Sequence, residues 1–145
     1  MRETTVDLHA LVEAAGDAII VADGAGRIVL WNPAAERLFG FTAAEAVGRS
    51  LDLIIPERFR ERHWAGYCTV MATGQTRYGT QVLRVPARHK EGQRLSIAFT
   101  VALLHGQEGS LTGMAAIVRD DTARWQEEQA LRRRLAALEG REASA

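Results

Sequence analysis

Arg27-Ile28-Val29-Leu30-Trp31-Asn32-Pro33-Ala34-Ala35-Glu36-Arg37-Leu38-Phe39-Gly40 packs a strand, a cap and a helix into one short run. Ile28 to Trp31 are β-branched, branched and aromatic side chains of the kind that favour extended backbone. Pro33 suits a first helical position, where its missing N–H has no intrahelical partner to lose, and Asn32 before it is a preferred N-cap. Gly40 then supplies a stop. Upstream, Asp17-Ala18-Ile19-Ile20-Val21-Ala22 is a second β-rich run, and Asp23-Gly24-Ala25-Gly26 between the two predicts a hairpin whose glycines take positive φ. Leu8 to Ala15 reads as a short amphipathic helix ended by Gly16. Downstream, Thr42-Ala43-Ala44-Glu45 has capping-box spacing and predicts another short helix ending at Gly48.

A longer helix is predicted from Pro56. Within it Phe59, His63, Gly66, Tyr67 and Val70 follow the rhythm of one buried stripe, while Arg58, Arg60, Glu61 and Arg62 lie off it. The period changes beyond Thr73-Gly74. Arg77 to Arg88 is strand-like, with Pro86 restricting it to an edge or a bulge because proline cannot donate to a ladder. Lys90-Glu91-Gly92 turns the chain, and Leu95, Ile97, Phe99, Val101 and Leu103 then alternate with Ser96, Ala98, Thr100 and Ala102. After a turn at Gly106 to Gly109, Gly113 to Arg119 forms the last strand. Two strands, several short helices, one longer helix and three antiparallel strands predict an α+β fold with helices gathered on one face of a single sheet.

With 145 residues, 47% of them apolar, the chain suits one domain with one core. Its 18 basic and 18 acidic residues cancel, so no electrostatic footprint marks a nucleic-acid or membrane partner. The single cysteine, Cys68, excludes an intramolecular disulfide and is compatible with a reducing compartment. No apolar run approaches the roughly 20 residues needed to span a bilayer, and Met1-Arg2-Glu3-Thr4-Thr5 has no signal-peptide core. The expectation is a soluble, cytoplasmic protein.

From Asp120 onward the composition shifts to Arg, Glu, Gln, Ala and Leu. Leu131, Leu135 and Leu138 repeat at four and three residues as a fragment of a heptad seam, although Arg124 and Glu128 stand at the equivalent upstream positions. This tail is either a solvated terminal helix or the beginning of a coiled-coil linker to an effector; a helix leaving directly after a strand favours the linker.

His63 carries the candidate chemistry. On the predicted stripe its imidazole points where apolar side chains point, and an unpaired polar group in the interior costs about 1–3 kcal/mol. Its partner is either a metal within a cofactor or a backbone carbonyl.

Asp17 to Asp23, Trp31 to Gly40, Glu45-Ala46-Val47-Gly48 and Val118-Arg119-Asp120-Asp121-Thr122 together resemble the PAS sensory domain family over most of residues 8–124. The resemblance implies a five-stranded antiparallel sheet in order 2-1-5-4-3 with a ligand pocket between the sheet and the long helix. It divides the chain into an N-terminal cap helix (1–16), a PAS domain (17–121) and a C-terminal signalling helix (122–145). It further implies a sensor in a modular signalling protein, a homodimer through the terminal helices and a C-terminal effector. Asp120 and Thr122 match the Asp-x-Thr that relays strain into the outgoing helix.

Leu53 to His63 is similar to the corresponding helix of the haem-binding PAS sensors of the FixL and Dos type, whose proximal histidine falls at His63. That implies haem b, with His63 as iron ligand and a diatomic gas as the sensed molecule. A neutral imidazole on a rigid helix is a good axial ligand. The implied walls are Tyr67 on the helix and Leu83, Val85, Leu95, Ile97, Phe99, Val101, Met114 and Ala116 on the sheet. Arg77 either pairs with a haem propionate or stands exposed at a strand start. Those sensors carry a tyrosine three residues beyond the ligand, whereas Tyr67 follows His63 by four. Leu83 occupies the place of an arginine that donates to bound oxygen, and Gln81 that of a methionine sixth ligand. A missing donor forfeits about 1.5–3 kcal/mol, which favours carbon monoxide, nitric oxide or a redox signal over stable oxygen binding.

Competing expectations are a flavin or other small molecule, or a cofactor-free dimerisation and relay module. The Asn-Cys-Arg motif of flavin-binding LOV domains is absent, and Cys68 lies five residues from His63, about 140° around the helix. His9, His89 and His105 are predicted on the surface, and Met71 and Met114 in the core. With no Gly-rich phosphate loop and no nucleophile-base constellation, the chain is not expected to be an enzyme.

Overall fold

The computed structural model describes residues 5–76 and 79–144. Helix α1 (Leu8–Ala14) is capped by Asp7, whose Oδ1 accepts from the Ala10 N–H at 3.2 Å. Strands β1 (Ala18–Asp23) and β2 (Ile28–Trp31) form the predicted hairpin. At its turn Asp23 Oδ1 accepts from the N–H groups of Ala25 and Arg27, at 3.0 and 2.9 Å, and Gly26 takes φ +81°. Helix α2 (Pro33–Phe39) begins on the Asn32 cap with Pro33 in the first turn and ends at Gly40 in the left-handed region. Helix α3 (Ala43–Ala46) carries the full capping box of Thr42 and Glu45. A 3-10 turn at Leu51–Leu53 leads to helix α4 (Glu57–Thr73), which Gly74 stops.

Strands β3 (Leu83–Arg88), β4 (Arg94–His105) and β5 (Leu111–Asp120) complete an antiparallel sheet in the order β2-β1-β5-β4-β3. Strand β3 is shorter than the run predicted from Arg77. It lies at the sheet edge, as Pro86 requires. Helix α5 (Thr122–Ser144) leaves directly from β5.

Register sets the two faces of the sheet, because residues paired across antiparallel strands share a face. Ala18, Val118, Phe99 and Leu83 form one row across β1, β5, β4 and β3, and Ile20, Ala116 and Val101 form the next. This face meets α2 and α3. The core joins Ala18, Ile20, Ile28, Trp31 and Val118 to Ala34, Ala35, Phe39, Ala46 and Ile54.

Asn32 does more than cap. Its Oδ1 accepts from the N–H of Ala35 at 3.0 Å and of Ile19 at 2.8 Å, while its Nδ2 donates to the carbonyls of Val12 and Asp17 at 3.0 and 3.1 Å. One buried amide therefore ties α1, β1 and α2 together, using both of its donors and both lone pairs of its oxygen.

Candidate functional site

Helix α4 is moored by its own polar and aromatic side chains. Arg60 donates from Nε to the Ile55 carbonyl at 3.0 Å and from Nη2 to the Asp52 carbonyl at 3.2 Å. Trp64 Nε1 donates to Asp52 Oδ1 at 2.7 Å, and the Tyr67 hydroxyl donates to the Asp23 carbonyl in the hairpin turn. The turn must be bare for the helix to come this close. A Cβ placed on Gly26 would stand 2.2 Å from the Trp64 ring, and one on Gly24 3.2 Å from the Met71 methyl.

These contacts widen the predicted stripe. Arg60, Trp64 and Met71 pack beside Phe59, His63 and Val70, all of them half-buried, around the buried Tyr67. Only Tyr67 of α4 is fully buried, and Gly66 is exposed. The indole and phenol hydrogen bonds to Asp52 and Asp23 decide the helix's rotation, and apolar periodicity does not register such bonds.

His63 consequently sits at the edge of the packed line, half-buried. Its ring meets the Trp64 ring edge-on at a centroid distance of 4.7 Å and the Tyr67 ring at 5.8 Å. Its Nδ1 is buried and has no hydrogen-bond partner among the described residues. Desolvation lowers the imidazole pKa, opposed by the nearby Asp52 carboxylate, so the ring is neutral at pH 7. The Tyr67 hydroxyl is pushed up to about 12, first by burial and then by Asp23, and stays a proton donor.

Leu83, Val85, Leu95, Ile97, Phe99, Val101, Met114 and Ala116 all lie on the helix-facing side of the sheet, as their pairings require. Their burial is uneven. Leu95 and Ile97 are in the core, whereas Leu83, Phe99, Val101, Met114 and Ala116 are half-buried and Val85 is 39% exposed. The part of the sheet nearest the edge thus offers an apolar surface with incomplete cover. A surface depression of about 370 Å³ lies elsewhere, lined by Arg49, Asp52, Arg60 and Arg88 among others, and neither His63 nor the sheet wall borders it. Arg77 lies outside the described residues.

At the exit from β5, Asp120 Oδ1 accepts from the Thr122 N–H at 2.9 Å, and Thr122 Oγ1 accepts from the Ser96 N–H at 3.0 Å. Asp121, unremarked in the sequence, is the busier residue. Its N–H donates to the Ser96 carbonyl at 2.7 Å, and its carboxylate meets Arg124 Nε at 2.9 Å and Arg84 Nε at 3.6 Å. The Arg124 hydrogen bond lowers the pKa of that carboxyl. Edge strand β3, its neighbour β4 and the outgoing helix therefore meet at one residue, through its carboxylate and its backbone N–H. Its only sequence signal was an acidic residue between the two motif positions.

No helix among the described residues is long and apolar enough to cross a membrane. No cluster of three or more His, Cys, Asp and Glu able to hold a bare metal ion occurs among them either.

Comparison with known proteins agrees with this architecture. An uncharacterized protein of Azorhizobium caulinodans is 34% identical over 126 residues, which is 86% of this chain and 17% of that protein. The sensor protein FixL of Bradyrhizobium diazoefficiens is 41% identical over 63 residues, 43% of this chain and 12% of FixL. The chain thus spans under a quarter of the length of the curated relatives it matches. Among solved structures, a PAS domain from Colwellia psychrerythraea superposes with a TM-score of 0.70 at 22% identity, covering 80% of this chain and 95% of that one. An RNA-binding light-oxygen-voltage receptor gives 0.69 at 24%, covering 95% and 38%. The family described as the PAS fold matches residues 7–120, the span that holds the hairpin, the moored helix and the five-stranded sheet, and the chain belongs to that family of sensory domains.

Proposed function

We propose that this domain is the input module of a larger signalling protein and that it binds haem b, with His63 as axial ligand to the iron. The observation that carries this reading is the half-buried, neutral imidazole of His63, one nitrogen of it buried without a partner among the described residues, in a domain whose sheet also carries an apolar surface that those residues cover only in part. A bare metal ion needs several protein ligands. A porphyrin brings four nitrogens of its own and asks the protein for one, which is what α4 offers. The similarity to FixL points the same way.

When bound, haem would supply an iron that takes a diatomic gas or changes oxidation state. The chain's residues divide the remaining work. Trp64, edge-on, and Tyr67, tilted, flank the His63 ring and are themselves anchored to Asp52 and to the hairpin turn, so the imidazole is oriented before any ligand arrives. Leu83, Val85, Phe99, Val101, Met114 and Ala116 would form the apolar wall. Leu83 offers no donor to a polar ligand, which favours carbon monoxide, nitric oxide or a redox signal over stable oxygen binding. Asp120 and Thr122, with Asp121 between them, would pass movement of β3 and β4 into α5 and onward to an effector domain.

Titration with haemin tests the site. A sharp Soret band that is lost in His63→Ala, together with quenching of Trp64 fluorescence, is the expected result. An unchanged spectrum and fluorescence retire haem. In that case a bound mass in native mass spectrometry would identify another ligand, and a clean apo mass would leave a cofactor-free relay module.

A further inference from the structure

We infer that the depression between the start of α4 and the β3–β4 turn is an anion site that takes a small organic phosphate. Neither His63 nor the sheet wall borders it, so the inference stands whether or not the domain holds haem.

The chain carries no net charge, yet the lining of this depression does. Arg49, Arg60, Arg88 and Lys90 face it against a single carboxylate, that of Asp52. The four cations come from separate parts of the chain: the segment between α3 and α4, α4 itself, and the end of β3 with the turn beyond it. Backbone hydrogen bonds fix those parts in place. The Arg88 N–H donates to the Ile54 carbonyl at 2.8 Å, the Lys90 N–H donates to the Phe39 carbonyl at 2.9 Å, and the Arg49 carbonyl accepts from the Ile28 N–H at 2.8 Å. Like charges gathered in this way repel, and a bound anion relieves the repulsion.

Two of the four cations are already engaged. Arg60 donates to the Ile55 and Asp52 carbonyls and lies 3.9 Å from the Asp52 carboxylate, and Lys90 meets Glu45 at 2.6 Å. Arg49 and Arg88 are exposed and make no side-chain hydrogen bond or ion pair among the described residues. Each therefore has a whole guanidinium fork to offer, and that fork matches the oxygens of a phosphate. A tetrahedral phosphate accepts from several sides at once, whereas one fork fills a planar carboxylate. Cations converging from separate segments thus favour phosphate. Phe41 and Leu53, both half-buried, add an apolar floor for the rest of the molecule. A volume of about 370 Å³ lies at the lower end of small-ligand sites. The site also adjoins the mooring of α4, because Asp52 Oδ1 accepts from Trp64 Nε1.

Calorimetric titration of the haem-free chain with phenyl phosphate tests the site. Saturable binding with a Kd of about 1 mM or tighter is expected, with inorganic phosphate several-fold weaker for want of the ring and benzoate about tenfold weaker. Arg49→Gln and Arg88→Gln should each weaken phenyl phosphate about tenfold without lowering the melting temperature, since neither side chain has a partner in the fold. Arg134→Gln, which removes the same charge from the exposed part of α5, should leave the affinity unchanged, and so should His63→Ala. Several outcomes overturn the inference: no saturable binding, inorganic phosphate or benzoate binding as tightly as phenyl phosphate, arginine variants that bind normally, or an equal loss in Arg134→Gln or His63→Ala.

Discussion

The two ends of the sheet are built differently. At the β1–β2 end, Phe39, Ile28 and Asn32 are fully enclosed, and α2, α3 and the hairpin close over one another through both apolar packing and hydrogen bonds. At the β3–β4 end the same face of the same sheet carries Phe99, Val101 and Val85 with only partial cover. Stability is concentrated where the chain fills its own core. The other end is left with apolar surface, which a sensory domain can use for a ligand. Regions with few buried contacts are also those that open locally at low cost.

The largest test of this contrast is a pair of truncations. Phe39→Ala should cost about 3–5 kcal/mol in urea unfolding, whereas Phe99→Ala should cost about 1–2 kcal/mol because its side chain is only half-buried. Equal costs would remove the distinction between the two ends.

Asn32→Ala comes next. It leaves two N–H groups and two carbonyls without their side-chain partner, and we expect a loss of about 2–3 kcal/mol. The loss should come with faster hydrogen exchange at the Ile19 and Ala35 amides.

Gly26→Ala probes the place where α4 meets the hairpin turn. The new methyl meets the Trp64 ring and the backbone holds φ +81°, so about 1–3 kcal/mol of strain is expected. Adding Trp64→Leu should recover the part due to the clash, but not the part due to φ. Complete recovery would show that the ring alone dictates a glycine there.

The smallest effect concerns pH. Burial lowers the His63 pKa in the folded protein, so the unfolded chain binds a proton more readily. Stability should therefore fall as pH drops below the unfolded histidine value of about 6.5 and continue falling down to the folded value. In the haem-free protein, a melting temperature that declines over this range and declines less in His63→Phe would agree. An identical pH dependence in the two would place the ring in solvent.

Much of the fold was legible because it rests on local chemistry. Asn32-Pro33 and Gly40 bound α2, Thr42 and Glu45 start α3, Gly74 ends α4, and Pro86 marks the edge strand. The alternation from Leu95 to Leu103 assigns the sheet's core face, since a strand's side chains have no other way to divide. The candidate site was only half legible. Its wall residues follow from that alternation, but the rotation of α4 does not.

By itself the sequence determined where elements start and stop, which strand faces the core, and that Leu131, Leu135 and Leu138 form a line. Those properties depend on residues a few positions apart, and caps, turns and periodicity encode them directly. Only the tertiary structure decided that Trp64 and Tyr67 bond to Asp52 and Asp23 and so moor α4, that Asn32 joins three elements, and that Asp121 links β3 to α5. Each depends on a partner distant in the chain, such as Asp23, Val12 or Arg84, and distance along the chain says nothing about which polar groups will meet.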